Sequence, residues 1–233
     1  MSNSAISRFS AGLAALGVAW LAERRAQAAA PQLLVFLHTA VKQRALQDAL
    51  SSSLPGVSVT TVGRIADFER KLAEGPDAVL TLPVVLRSKR LSISLAGHRA
   101  GNPSEKYVLV GADAAPVPTQ VASVGALDIL GRAGTTSFVE ELLGAQPKVV
   151  RVTKVEDLLP LLQMRRADGI VLPARLQAAL ASASRLKLAE RELPGSVGLP
   201  AVAAVAGAGS AIVAAMRSLP ASTSKLVGVD SWH

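Results

Sequence analysis

The stretch PQLLVFLHTAVKQRALQDALSSSLPGVSVTTVGRIADFERKLAEGPDAVLTLP, residues 31–83, decides the fold. Gln32 to Leu37 is a short apolar run rich in strand formers, and Val41 to Leu50 then places Val41, Ala45, Leu46, Ala49 and Leu50 at helical spacing. Pro55 and Gly56 break the chain. Val57 to Val62 alternates as a strand, Ile65, Phe68 and Leu72 return to helical spacing, and Ala78 to Leu82 is a third strand stopped by Pro83. Three strands separated by two helices predict a parallel sheet with right-handed crossovers.

Outward from this unit the alternation continues. Leu91 to Ala96 and Tyr107 to Val110 read as strands on either side of the turn region Gly97 to Ser104. Small residues and proline at GADAAPVPT (111–119) mark a boundary, after which strand and helix alternate again: Val124 to Leu130, Thr136 to Leu143, Val149 to Val152, Val155 to Met164, Gly169 to Leu172, Ala174 to Ala183 and Leu186 to Leu193. Pro194 and Gly195 mark a second boundary. An apolar strand (Val197 to Val205), a helix over Ser210 to Leu219 and a tail ending in Val227, Val229 and Trp232 close the chain. The expected architecture is α/β and two-lobed, each lobe a mostly parallel sheet flanked by helices. Residues 29–112 and 197–233 form the first lobe and residues 113–196 the second, with a ligand cleft between them. Two crossings between lobes make a double hinge that can close over a ligand.

Composition limits the function classes. The 233 residues are half apolar, only 18% are charged, and the formal charge is +8. Such a chain buries a real core, which must be aliphatic because aromatics are 3%. The absence of cysteine removes disulfides, thiolate nucleophiles and Cys zinc sites. A basic chain invites a nucleic-acid partner, but the Lys and Arg are scattered in ones and twos, with few aromatics beside them to stack on bases. No nucleic-acid partner is expected.

The first 28 residues read as a targeting segment. Phe9 to Ala22 (FSAGLAALGVAWLA) is an apolar stretch preceded by Arg8 and followed by Ala26, Gln27 and Ala28, a small-x-small site. The stretch is shorter than the roughly 18–20 residues of a spanning helix. A cleavable signal peptide, residues 1–28, fits best; Glu23, Arg24 and Arg25 before the cleavage site keep an uncleaved anchor open as an alternative. Cleavage after Ala28 removes Arg8, Arg24, Arg25 and Glu23 and leaves +6 on a periplasmic protein with no stable membrane span.

The segment GRAGTTSF (131–138) carries the most chemistry. It follows a predicted strand and opens a predicted helix, so Thr135, Thr136 and Ser137 would stand where the first helical N–H groups are free, with Gly134 permitting close backbone approach and Arg132 adding a cation. That combination is an anion seat; an ordinary capped helix start is the alternative. The glycine spacing is not that of a nucleotide-hydrolysing loop. Strand ends supply further candidates, because α/β sites lie at the carboxyl ends of parallel strands. His38 and Thr39 follow the first strand and Thr81 ends the third. Each hydroxyl can equally be a local cap, and His38 can equally satisfy a buried polar contact. Tyr107 faces either the cleft or the core. Asp168 fixes a turn before its strand, and Met164 with its neighbouring leucines reads as core.

Catalysis has little support in these residues. His38, His98 and His233 form no metal-ligand spacing and no nucleophile elbow is present. Glu140, Glu141, Glu156 and Asp157 fit helix-end electrostatics better than an acid–base pair. Neither a metal nor a cofactor is expected, and the chain does not read as an enzyme.

From YVLVGA (107–112) through GRAGTTSF, VTKVEDLLPLLQ (152–163) and RRADGIVLPA (165–174), the chain resembles the periplasmic phosphate and phosphonate substrate-binding proteins. PDAVLTLPVVL (76–86) and LVGVDSWH (226–233) extend the resemblance over most of the mature chain. It implies the type 2 periplasmic-binding-protein fold and a small anion, such as phosphate, a phosphonate or a related oxyanion, held by hydroxyls and backbone N–H groups at strand ends. Thr135, Thr136 and Ser137 carry over directly. The implied partner is an ABC-type permease or another envelope protein. An exported structural or signalling component that keeps this fold and works through protein contacts is the other reading.

Overall fold

Two mixed β-sheets organise the chain in the computed structural model, which describes residues 30–233; the segment read as a signal peptide lies outside the described residues. In chain order the first lobe contributes β1 (Gln32–Phe36), α1 (Gln43–Ser53), β2 (Ser58–Val62), α2 (Ile65–Ala73), β3 (Ala78–Thr81), α3 (Pro83–Ser88) and β4 (Leu95–His98). The second contributes β5 (Ser104–Ala112), β6 (Ser123–Leu127), α4 (Gly131–Leu143), β7 (Lys148–Val152), α5 (Leu158–Gln163), β8 (Gly169–Pro173), α6 (Ala174–Ala183) and β9 (Leu188–Gly198). The chain then returns to the first lobe as β10 (Ala201–Ala204), α7 (Gly209–Arg217), α8 (Ala221–Val227) and β11 (Ser231–Trp232).

The sheets share one plan. Read from its parallel edge, the first runs β2-β1-β3-β10-β4-β11 and the second β7-β6-β8-β5-β9. Each has three parallel strands with the earliest in the middle, joined by helical crossovers. Beside them lies a strand from the opposite end of the excursion, β10 or β5, paired antiparallel. The reading of the lobes as mostly parallel therefore becomes mixed, because each crossing strand enters its sheet against the local direction.

The first lobe boundary moves. Residues 104–112 were expected in the first lobe, yet β5 pairs with β8 and β9 and lies inside the second sheet. The first crossing falls at residues 99–103 and the return at Leu199–Pro200, side by side, with the Leu199 N–H donating to the Pro103 carbonyl at 2.9 Å. Pro194 and Gly195 are not a boundary. They sit inside β9, an edge strand, where a residue without an N–H is tolerated and where the register slips opposite Lys106 and Val108. The next break comes at Pro200, which separates β9 from β10.

Other differences are local. The strand expected at Leu91–Ala96 is displaced to Leu95–His98. Met164 is 64% exposed rather than core, because α5 ends at Gln163 and leaves it in the following turn. Asp168, expected to fix the turn before its own strand, instead ties that turn to the start of β6: its Oδ2 accepts from the N–H groups of Ala122 and Ser123 at 2.9 and 2.8 Å.

The core is aliphatic, with Phe36 and Phe68 stacked 5.2 Å apart beneath α2. One apolar cluster runs from β1 and β3 across to Leu127, Leu158, Leu172 and Leu176 of the second lobe, so the lobes meet on packed side chains. A second cluster, around Tyr107, Val139 and Leu193, lies beneath α4. Among the described residues no helix is long and apolar enough to cross a membrane.

Candidate functional site

The carboxyl ends of the parallel strands of both sheets converge on the space between the lobes. Residues 38–41 follow β1, 63–67 follow β2 and Leu82 follows β3; Asp128 and Ile129 follow β6, Thr153 follows β7 and Arg175 follows β8. This is where an open α/β sheet places its ligands. Three spaces lie there. An inner cavity of about 20 Å³ is lined from the first lobe by His38 and Leu82 and from the second by Tyr107, Ile129, Phe138 and Arg175. An outer groove of about 330 Å³ carries Thr39, Arg99, Arg175, Lys225 and Asp230. On the other side of the β1–α1 loop a groove of about 480 Å³ carries Lys42, Arg64, Asp67, Lys154 and Glu156.

Arg175 is the centre of this arrangement. It opens α6, reaches the ion-pair partner Glu105 on β5, and is buried with it, their side chains 6% and 9% exposed. Burial first, and then the charge of Arg99, pull its pKa down to about 10, so it is a cation at neutral pH under pressure from a second guanidinium. Glu105 Oε2 finds no hydrogen-bond partner. Gly228 of the returning tail, at φ +99°, presses against the Arg175 side chain: a Cβ there would stand 2.8 Å from Nε.

His38 sits edge-on to Phe36, ring centroids 5.3 Å apart, and its Nε2 is buried without a partner. Burial lowers its pKa to about 4; Asp128 opposes that shift and Arg175 adds to it. The imidazole is neutral at physiological pH.

The structure brings some predicted residues to this place and leaves others away from it. His38 and Thr39 line the interlobe spaces. Thr81 is fully buried and spends its hydroxyl on the Phe36 carbonyl at 2.7 Å, tying β3 to β1. Tyr107 lines the inner cavity and also packs edge-on against Phe138 at 5.6 Å; burial pushes its hydroxyl pKa up.

The helix expected from Thr136 begins at Gly131. Thr135, Thr136 and Ser137 therefore stand past the first free N–H groups. Thr135 is buried, accepts from the Leu130 N–H and donates to Asp128 Oδ1, both at 3.0 Å. Thr136 bonds back to the Arg132 carbonyl at 2.9 Å and, with Arg132 and Arg151, borders a separate groove of about 350 Å³. Ser137 is exposed, and a Cβ on Gly134 would meet Leu130 at 2.7 Å, so that glycine serves helix packing.

Arg175, Arg99, Lys225 and Asp128 were not singled out in the sequence. The strand-end rule that selects His38 would have selected Arg175, two residues after β8, and Asp128, had β6 been ended at Leu127. Arg99 and Lys225 reach the groove through a turn and a returning tail, which no local pattern announces.

No family model matches the sequence, and no curated protein matches it. Solved structures do resemble it. Holo ArgBP from T. maritima superposes with a TM-score of 0.53 at 17% identity, covering 86% of this chain and 91% of that one. The periplasmic VFT2 domain of Bordetella pertussis BvgS gives 0.55 at 16%, covering 91% and 96%. The GluR0 ligand-binding core from Nostoc punctiforme in complex with L-glutamate gives 0.52 at 10%, covering 75% and 84%. The fold is that of a type 2 periplasmic binding domain. In such a domain the repeated sheet plan and the paired crossings are the framework, and the interlobe spaces around Arg175 lie at its strand ends.

Proposed function

We propose that this chain is an exported solute-binding domain that holds a small anion between its lobes, carries out no chemistry on it, and passes it to an ABC-type permease or another envelope protein. One observation carries the reading: Arg99, Arg175 and Lys225 converge on one interlobe groove, where the charge of Arg99 already bears on buried Arg175. Glu105 and Asp230 balance two of the three cations, and an anion entering the groove balances the third. Thr39 adds a hydroxyl and His38 a neutral ring at the inner end. The ligand classes in view are phosphorus oxyanions, which the sequence resemblance suggests, and carboxylates. The seat at Thr135–Ser137 with Arg132 stays a second candidate, with less support because two of its hydroxyls are engaged within the helix region. Export rests on the sequence of residues 1–28.

The test is a thermal-shift panel on residues 29–233 with phosphate, methylphosphonate, sulfate, acetate, L-glutamate and L-arginine. A ligand at about 100 times its Kd adds roughly 2.7 kcal/mol to the folded state. At least one anion is expected to raise Tm, and Arg99→Gln, an exposed change, is expected to weaken that rise. If every anion leaves Tm unmoved, the reading fails.

A further inference from the structure

We infer that the ligand is an anion bearing a short apolar group of one or two carbons, whose head meets Arg175 in the outer groove and whose apolar end enters the inner cavity. This rests on the anion reading above and narrows it. Arg175 lines both spaces, so a head paired with it in the groove lies next to the inner cavity. Most of the residues around that cavity present hydrocarbon: Leu82 from one lobe, and Leu127, Ile129, Phe138 and Val171 from the other, with the ring of Tyr107. Its polar side chains are His38, Arg175 and Tyr107, and Arg175 is the one it shares with the groove that takes the head.

Chemistry separates the anion classes. A bare oxyanion such as phosphate presents oxygen in every direction, and an oxygen pressed against these walls loses its hydration with nothing in exchange. An alkyl group gains instead, because contact with these hydrocarbon side chains removes its own apolar surface from water. Size sets the limit. About 20 Å³ is the room of a single water-sized group, so one carbon fits, a second calls for slight lobe movement, and a longer chain holds the lobes apart. Each methylene that is buried tightens binding about threefold to fourfold.

Isothermal titration of residues 29–233 with inorganic phosphate, methyl-, ethyl- and butylphosphonate, and in parallel with formate, acetate, propionate and valerate, tests this. The expected result is a rise of about threefold to fourfold per carbon over the first one or two carbons in whichever series binds, and a fall by butyl or valeryl. Val171→Ile adds a carbon to the wall and is expected to bring the ratio of ethyl to parent affinity toward one, with the urea midpoint of the free variant confirming that it folds. Equal affinities along the series, or a steady rise through the longest chain, overturn the apolar subsite and leave the anion reading standing. Failure of every member, phosphate and formate included, overturns both.

Discussion

His38 shows most directly how position overrides composition. A histidine after a strand is free to be a ligand, a cap or a switch. Here burial takes its pKa from 6.5 to about 4, while Asp128 and Arg175 pull in opposite directions. The unfolded chain therefore binds a proton that the folded chain refuses between about pH 6.5 and pH 4. Over that window the stability His38 permits is complete at the upper end and lost progressively toward the lower one, by up to about 3 kcal/mol. His38→Gln keeps the polar shape and removes the titration. The difference in unfolding free energy between the two proteins, from urea titrations across the window, should shift steadily in favour of the variant as pH falls. A difference that stays constant with pH would mean that the ring is not excluded from water.

At the scale of elements, the network around Asp128 explains why the most conspicuous sequence motif does not stand open at the cleft. Thr135 bridges the Leu130 N–H to Asp128, and Asp128 is in turn held by Arg151 at 2.5 Å, so α4 is locked to the ends of β6 and β7. Thr135→Val deletes both bonds at a buried site and is expected to cost about 1–3 kcal/mol in urea unfolding, against a few tenths for Thr136→Ala, whose bond is local and half-exposed. Equal costs would contradict the bridging role. The motif misled because two glycines and an arginine read as loop. Gly131, at φ +75°, instead opens the helix one turn early, with Leu130 at its cap. Strands were more legible: β1, β2 and β3 alternate or run apolar between clear breakers, and the spacing of apolar residues placed α1 and α2 within a few residues. α3 and α8 carried no such signal, being two turns or fewer, with Pro83 and Pro220 at their starts.

For the whole molecule, what sequence could not show is where the returning tail touches the second lobe. The two boundaries suggested that the last segment rejoins the first lobe, and β10 and β11 do so. The contact of Gly228 with Arg175 joins residues 53 positions apart and follows from no periodicity. It places the tail along one wall of the proposed anion site and makes it one of the places where the lobes touch. Gly228 has two reasons to be glycine: φ +99°, which an L side chain adopts only with strain, and a side chain 2.8 Å from where its Cβ would be. Gly56 has only the first, with φ +79° and nothing within 4 Å. Either glycine replaced by alanine should lose about 1–2 kcal/mol of stability from backbone strain. Gly228→Ala alone also displaces the guanidinium, and its affinity for methylphosphonate should drop about tenfold, a change of about 1.4 kcal/mol, while Gly56→Ala binds as the parent does. Titration calorimetry beside urea unfolding separates the two effects. If both variants lose stability and neither loses affinity, Arg175 does not hold the ligand.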